Sequence, residues 1–425
     1  MPTVQIPYGH TFLSADINAA NFAGCYTSKL PGAAADQNAE VCRALDNPIA
    51  SPPLEELARG KKNAVVITSD HTRPVPSMII MPQILRRLRK FAPDIKITIL
   101  VATGAHRATT MDELIAKLGK DIVENEQIVI HDSTAETQLV EVGTLPSGGK
   151  LILNKLAMET ELLVAEGFIE PHFFAGFSGG RKAVLPGIAS RTTVLANHCS
   201  EFIQSEFART GNLQDNPIHC DMLFAARQAK LAFIVNVVIN EDKKIVKAFA
   251  GDREQAHLQG CEFLRSCCRI KVPEVDIVLT SNGGYPLDQN IYQAVKGMTT
   301  GEAVCRKNGV IIMCASCSDG HGGESFRQHL AEAESPAKLL AQIAGVPRNA
   351  TIPDQWQYQI LCRILKDFTV IMVTKDCSHE LLKSMHMQAA NSITEALQMA
   401  YKITGNSAKV AVIPDGVAVI AQKIS

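Results

Sequence analysis

"NAVVITSDHTRPVPSMIIMPQILRRLRKFAPDIKITILVATGAHR" runs from Asn63 to Arg107 and holds the argument for the fold. Each end carries a short β-branched run, "NAVVITS" at 63–69 and "IKITILVA" at 95–102, of the length and composition of a buried strand. Between them "PQILRRLRKFA" places apolar residues three and four apart, the spacing of a helix with one buried face. Strand, helix and strand within 45 residues form a crossover unit, and such units build parallel sheets. Each strand closes on a polar loop, "SDHTRP" and then "ATGAHR".

The same alternation recurs outward from this unit. Further strands are predicted at "TELLVAEG" (160–167), "VDIVLTS" (275–281), "GVIIMCAS" (309–316), "FTVIMVT" (368–374) and "AKVAVIPD" (408–415). "PAKLLAQIAG" reads as a helix after "GVIIMCAS". Residues 232–252 read as two strands around an Asn-Glu-Asp turn, an antiparallel addition. A break at "RSCCRIKVP", 265–273, separates two sets of strands, so the expected organisation is α/β with two domains and mainly parallel sheets. The first would span 1–268 and the second 269–425, with the last strand free to return to the first domain.

Composition narrows the function classes. The 425 residues are 46% hydrophobic and 20% charged with a net charge of -1, a globular balance without the basic excess that nucleic acid requires. No basic-then-apolar leader opens the chain, and no run approaches the roughly 18 apolar residues of a membrane span, so a cytoplasmic protein without membrane contact is expected. The twelve cysteines then read as reduced thiols. Cys314 and Cys317 form a lone "CASC" with no second C-x-x-C at zinc-ribbon spacing, and packing is their expected role.

In open α/β sheets ligands gather beyond the carboxyl ends of the strands, so the loops there carry the chemistry. In "SDHTRP", Asp70 and Thr72 suit a sugar hydroxyl or a phosphate and Arg73 offers a planar fork for a carboxylate; a capped helix start beside a surface arginine is the structural alternative. His106 follows the second strand and His172 the third, and two histidines on separate strand ends can serve as acid and base on opposite faces of one carbon. "EPHFFAGFSGGRKAVLPG", 170–187, adds Lys182 beside Arg181, a lysine able to bond a carbonyl-type group or to hold a phosphate. Its spacing fails the triphosphate-loop pattern. His198, ending a short helix begun near Ser190, could ligate a metal. In "SNGGYPLDQNIYQAVKGM", 281–298, Asp288 is expected to cap a helix on which Gln289, Gln293 and Lys296 share a face, either toward an anionic ligand or toward solvent. Trp356, the only tryptophan, walls a pocket or fills a core.

These stretches, with "LPGIAS", "ARTGNL", "LAFIVNVV", "DGHGGE" and "TIPDQW", resemble the nickel-dependent lactate racemase family in the same order along nearly the whole chain. The resemblance implies an active site in the cleft between the domains and a nickel-pincer nucleotide, a pyridinium mononucleotide that holds nickel through two sulfurs and a ring carbon. It implies that Lys182 tethers this cofactor, that His198 is the protein's nickel ligand, and that Asp70, Thr72 and Arg73 lie against nucleotide and substrate. It further implies His106 and His172 as the acid/base pair, and Arg73, Tyr292, Gln293, Lys296 and Trp356 as substrate contacts. The implied reaction is interconversion of D- and L-lactate, with separate cofactor-synthesis enzymes as expected partners. Racemisation or epimerisation of another 2-hydroxy acid, non-catalytic nickel or nucleotide binding, and a zinc hydrolase stand as alternatives. Ala105, where the family pattern has an aromatic residue, and Pro171 beside His172 are departures from that pattern.

Overall fold

The computed structural model describes residues 1–424. Two six-stranded sheets organise it. In the first, the strands run in the order Ile245–Gly251, Leu231–Ile239, Leu163–Phe168, Asn63–Ser69, Lys96–Ala102 and Gln127–Ile130. All pairs are parallel except the first, the hairpin expected at 232–252. The second sheet runs Gln388–Ala390, Thr369–Val373, Cys305–Cys314, Val275–Ser281, Val410–Ile413 and Phe22–Cys25, parallel throughout. Helices cover both faces of each, as buried parallel strands require. Val66, Ile67, Val278 and Ile312 are fully buried, and burial of such side chains contributes about 1.5–3 kcal/mol each.

Three readings of the chain change. The Thr3–Tyr8 and Thr11–Asp16 hairpin and the Phe22–Cys25 strand pack on the second sheet, where Ile6 and Tyr8 share a core with Ile277 and Leu279. The chain thus begins in the second layer before building the first, a long-range pairing that local periodicity does not carry. The break at 265–273 is itself built of regular structure: a helix ends at Cys268 and a strand, Arg269–Pro273, follows at once and pairs in parallel with Ile420–Ile424. Ile420 of that last strand packs with Ile169, Phe177 and Leu213 of the first layer. Asp288 does not cap the next helix. Asn290 does, its side chain accepting from the Gln293 N–H, while Asp288 Oδ2 accepts the N–H groups of Gly9 and Ser316. Gln289 therefore lies outside the Ile291–Val304 helix.

The two layers are fastened along one side. The Gln355–Asp367 helix of the second layer meets the Ser200–Gln204 helix of the first, with Gln359 Nε2 donating to Ser200 O at 2.9 Å and Arg363 Nη1 to Ile203 O at 3.2 Å. Arg348 adds a bond to Glu201 at 2.7 Å. Away from this seam the carboxyl ends of the first sheet face the Ile291–Val304 helix across a cleft.

Candidate active site

A cavity of about 280 Å³ lies in this cleft, lined by Asp70, Arg73, His106, His172, Lys182 and His198 from the first layer and by Tyr292, Gln293, Lys296 and Trp356 from the second. Ten of the eleven residues to which the family resemblance gives a site role thus line one space, whereas Gln289, the other candidate on the 281–298 stretch, does not. Thr72 is the exception: its hydroxyl and its N–H both turn back to Asp70 Oδ1, at 2.7 and 3.1 Å.

Asp70 is 1% exposed at the end of the Asn63–Ser69 strand, and its other oxygen, Oδ2, lies 2.7 Å from His106 Nδ1. Burial alone would raise its pKa, but the bonds from His106 and Thr72, with Arg73 nearby, hold it below the usual carboxylate range. A carboxylate on Nδ1 keeps the proton there and leaves the lone pair of His106 on Nε2. The loop around His106 is held on three sides. Gly104, at φ +57°, donates its N–H to Gly187 O at 3.0 Å. Arg107 forks onto Glu113, which with Thr110 forms the capping box of the Met111–Leu118 helix. His71 Nδ1 lies 3.3 Å from the Thr109 hydroxyl.

His172 and Lys182 line the same cavity from the segment after the Leu163–Phe168 strand. A tight hairpin pairs Pro171–His172 with Gly176–Phe177, so Pro171 starts a strand without having to donate a ladder bond. Four residues on, the backbone passes Gly180 at φ +53°, where a Cβ would fall 2.7 Å from the His257 ring. That turn delivers Lys182, whose Nζ sits 3.3 Å from His172 Nε2. Burial, reinforced by Arg181 and Arg73, holds the Lys182 pKa well below its ordinary value and so favours the free amine. Burial and the same cations, Lys182 foremost, likewise hold His172 well below its own.

His198 closes the Arg191–Asn197 helix, which Ser190 caps by accepting from the Thr193 N–H. Its Nδ1 lies 2.9 Å from Val194 O, a backbone acceptor that fixes the proton on Nδ1 and leaves Nε2 bare. Burial, with Lys182 near, pushes its pKa down to about 3, so the ring is neutral and Nε2 can ligate a metal. Aromatic rings set it in place: Phe174 meets the His198 and His172 rings edge-on, at centroid distances of 5.2 and 4.5 Å, and Trp356 meets His198 at 5.1 Å. Among the described residues no three His, Cys, Asp or Glu side chains are grouped to hold a metal ion.

From the second layer Lys296 brings an ammonium whose pKa burial and Arg73 press to about 8, and Gln293 brings a buried carboxamide oxygen without a partner among the described residues. Among the described residues the Arg73 side chain bonds only to Thr72, at 3.3 Å. The cleft is therefore cationic, with donors free for a carboxylate or phosphate. Tyr292 is fixed by donating to Asp354 Oδ1 at 3.1 Å, and Gln357 Nε2 donates to Tyr292 O. Asp354, at φ +66°, was not singled out from the sequence, although "TIPDQW" contains it. Glu166, likewise missed inside an apolar strand, accepts the Thr68 and Ser77 hydroxyls at 2.5 Å each beneath the site.

Residues 8–211 match the sequence model of lactate racemase N-terminal domains and residues 270–421 that of lactate racemase C-terminal domains. The chain is 54% identical to the lactate racemase of Thermoanaerobacterium thermosaccharolyticum over 425 residues, all of both chains. It is also 54% identical to that of Lactiplantibacillus plantarum over 429 residues, 99% of this chain and 100% of the relative. The solved lactate racemase apoprotein from T. thermosaccharolyticum superposes with a TM-score of 0.97 over 99% of this chain and 100% of that one. A Thermotoga maritima protein, 20% identical, shares the fold with a TM-score of 0.62 over 87% of this chain and 98% of its own.

Proposed function

The chain belongs to the lactate racemase family, and from that premise we propose that it is an isomerase interconverting D- and L-lactate by proton-coupled hydride transfer in the cleft. The observation that carries the reading is the shared cavity, lined by two histidines from separate strand ends, a buried lysine whose pKa is depressed, a neutral buried histidine and two cations, Arg73 and Lys296, with no carboxylate partner among the described residues. Isomerisation needs acid/base groups on both faces of one carbon, and a carboxylate substrate needs the cations.

His198, with its proton fixed on Nδ1 and Nε2 free, and Lys182, an amine with no carboxylate partner among the described residues, are chemically suited to a nickel-pincer nucleotide. Lys182 would tether it and His198 would ligate its nickel. The chemistry this group supplies when bound is reversible hydride acceptance, which flattens the α-carbon of a 2-hydroxy acid to a ketone reducible from either face. The protein's own tasks follow. Arg73 and Lys296 hold the substrate carboxylate, and Gln293 orients it. His106, oriented by Asp70, exchanges the hydroxyl proton at Nε2 on one face, and His172 serves the other. Phe173, Phe174, Tyr292 and Trp356 exclude water, which strengthens each of these polar contacts. Asp70 thus acts mainly through His106, and Thr72 acts through Asp70. Enzymes that build the cofactor are the implied partners. No helix among the described residues is long and apolar enough to cross a membrane.

The test combines racemisation of D-lactate with intact mass and nickel content, on protein from a host able to make the cofactor. Turnover with one nickel and a covalent mass on Lys182 supports the reading. Loaded protein inactive on lactate refutes it. Racemisation of a longer 2-hydroxy acid is the second reading, favoured by Ala105, a small exposed side chain on the cavity lip. An added methylene in an apolar pocket changes kcat/KM by about 10–200-fold, enough to rank the two substrates in one assay series.

A further inference from the structure

Arg181 is 1% exposed, and among the described residues no carboxylate pairs with it. Its guanidinium is spent on backbone and imidazole instead. Nη2 donates to Ala175 O at 2.7 Å, Nη1 to Phe177 O at 2.7 Å, and Nε to His219 Nδ1 at 3.0 Å. Both carbonyls belong to the short segment that joins His172 to Lys182, so one buried fork gathers the backbone between two of the groups that face the cleft.

The backbone of Ala175, one residue with both its polar groups engaged, links the fork to the site. Its carbonyl is gripped by Arg181 and its N–H donates to His172 Nδ1 at 3.2 Å. An Nδ1 that accepts a hydrogen bond bears no proton, so neutral His172 carries its proton on Nε2. Nε2 lies 3.3 Å from Lys182 Nζ, and an N–H pointing at that nitrogen is satisfied only by a lone pair, which the amine has and the ammonium lacks. His106 has the reverse arrangement, with a carboxylate on Nδ1.

We propose that Arg181 is a positioning residue which, by fixing the backbone at Ala175, sets the proton of His172 on Nε2 and holds Lys182 as a free amine. The consequence for tethering rests on the reading of Lys182 given above; the tautomer does not. Burial of Lys182 beside Arg181 acts in the same direction.

The test uses the full chain without cofactor, labelled with ¹⁵N-histidine and read by two-bond proton–nitrogen correlations, with His172 assigned through His172→Gln. The expected wild-type pattern has a protonated Nε2 and a bare Nδ1. Arg181→Lys, which keeps the charge but loses the fork, is expected to shift His172 toward Nδ1–H or a mixture. It should also slow acetylation of Lys182 by acetic anhydride about ten-fold relative to exposed lysines, the size of one net hydrogen bond. Wild-type His172 protonated on Nδ1 overturns the proposal without any variant, and so does a folded Arg181→Lys with unchanged tautomer and unchanged acetylation. Turnover with the wrong tautomer overturns this proposal alone. The expected tautomer in a loaded but inactive protein overturns the racemase reading alone.

Discussion

Replacing Asp70 by asparagine separates orienting His106 from holding a nucleotide. In the structure Asp70 Oδ2 lies 2.7 Å from His106 Nδ1, and Oδ1 takes both donors of Thr72. With Oδ1 engaged by Thr72, asparagine turns its amide nitrogen toward His106, so Nδ1 must accept and the proton moves to Nε2, the nitrogen that should be bare. Loss of a hydrogen bond to a charged group costs about 1.5–3 kcal/mol, or roughly 10–150-fold in rate. Inversion of a catalytic histidine's tautomer by the same substitution is known to reach about 10⁴-fold. The expected result is therefore a fall in kcat of about 10²–10⁴-fold with KM for lactate nearly unchanged and the covalent cofactor mass intact. Polarimetry or a stereospecific coupled assay reads the rate, and intact-mass spectrometry reads the tether. A rate within about threefold of wild type refutes the orienting role, because so short a bond to a working histidine cannot be lost at so small a cost. A protein that has lost the cofactor assigns Asp70 to nucleotide binding instead.

Lys182→Ala is expected to abolish the covalent mass, and its persistence at another lysine moves the tether. Lys296 is an ammonium below about pH 8 and an amine above, since its pKa is depressed to about 8 by burial and Arg73. KM for lactate should accordingly rise as pH passes about 8 and flatten in Lys296→Arg, whose charge persists; a KM constant to about pH 9 in wild type removes Lys296 from carboxylate binding. Gly187→Ala would place a Cβ 2.2 Å from Ala183 O in the turn that meets Gly104, a backbone clash expected to destabilise by about 2 kcal/mol or more and to lower Tm in a thermal melt. An unchanged Tm would mean the turn is softer than its packing implies.

The sequence alone carried the α/β alternation, every strand of the two sheet centres and the loops that bear the chemistry. Such signals are local: a β-branched run bounded by polar residues reads the same in any context. The resemblance then supplied roles for single residues within those loops. The tertiary structure decided what depends on partners far along the chain. It packed the hairpin at 3–16 on the second sheet, added the strand at 22–25 to that sheet's edge, and paired the strand at 269–273 with the strand at 420–424. It gave the cap at the 291–304 helix to Asn290 rather than Asp288, because Asp288 is taken by N–H groups of Gly9 and Ser316. Most of all it fixed what the Nδ1 of each histidine meets. His106, His172 and His198 are the same residue type in similar loops. One is set by a carboxylate 36 positions away, one by a peptide N–H three residues on, and one by a carbonyl one helical turn back. Proton placement on an imidazole belongs to the neighbour that occupies Nδ1, and only folding chooses that neighbour.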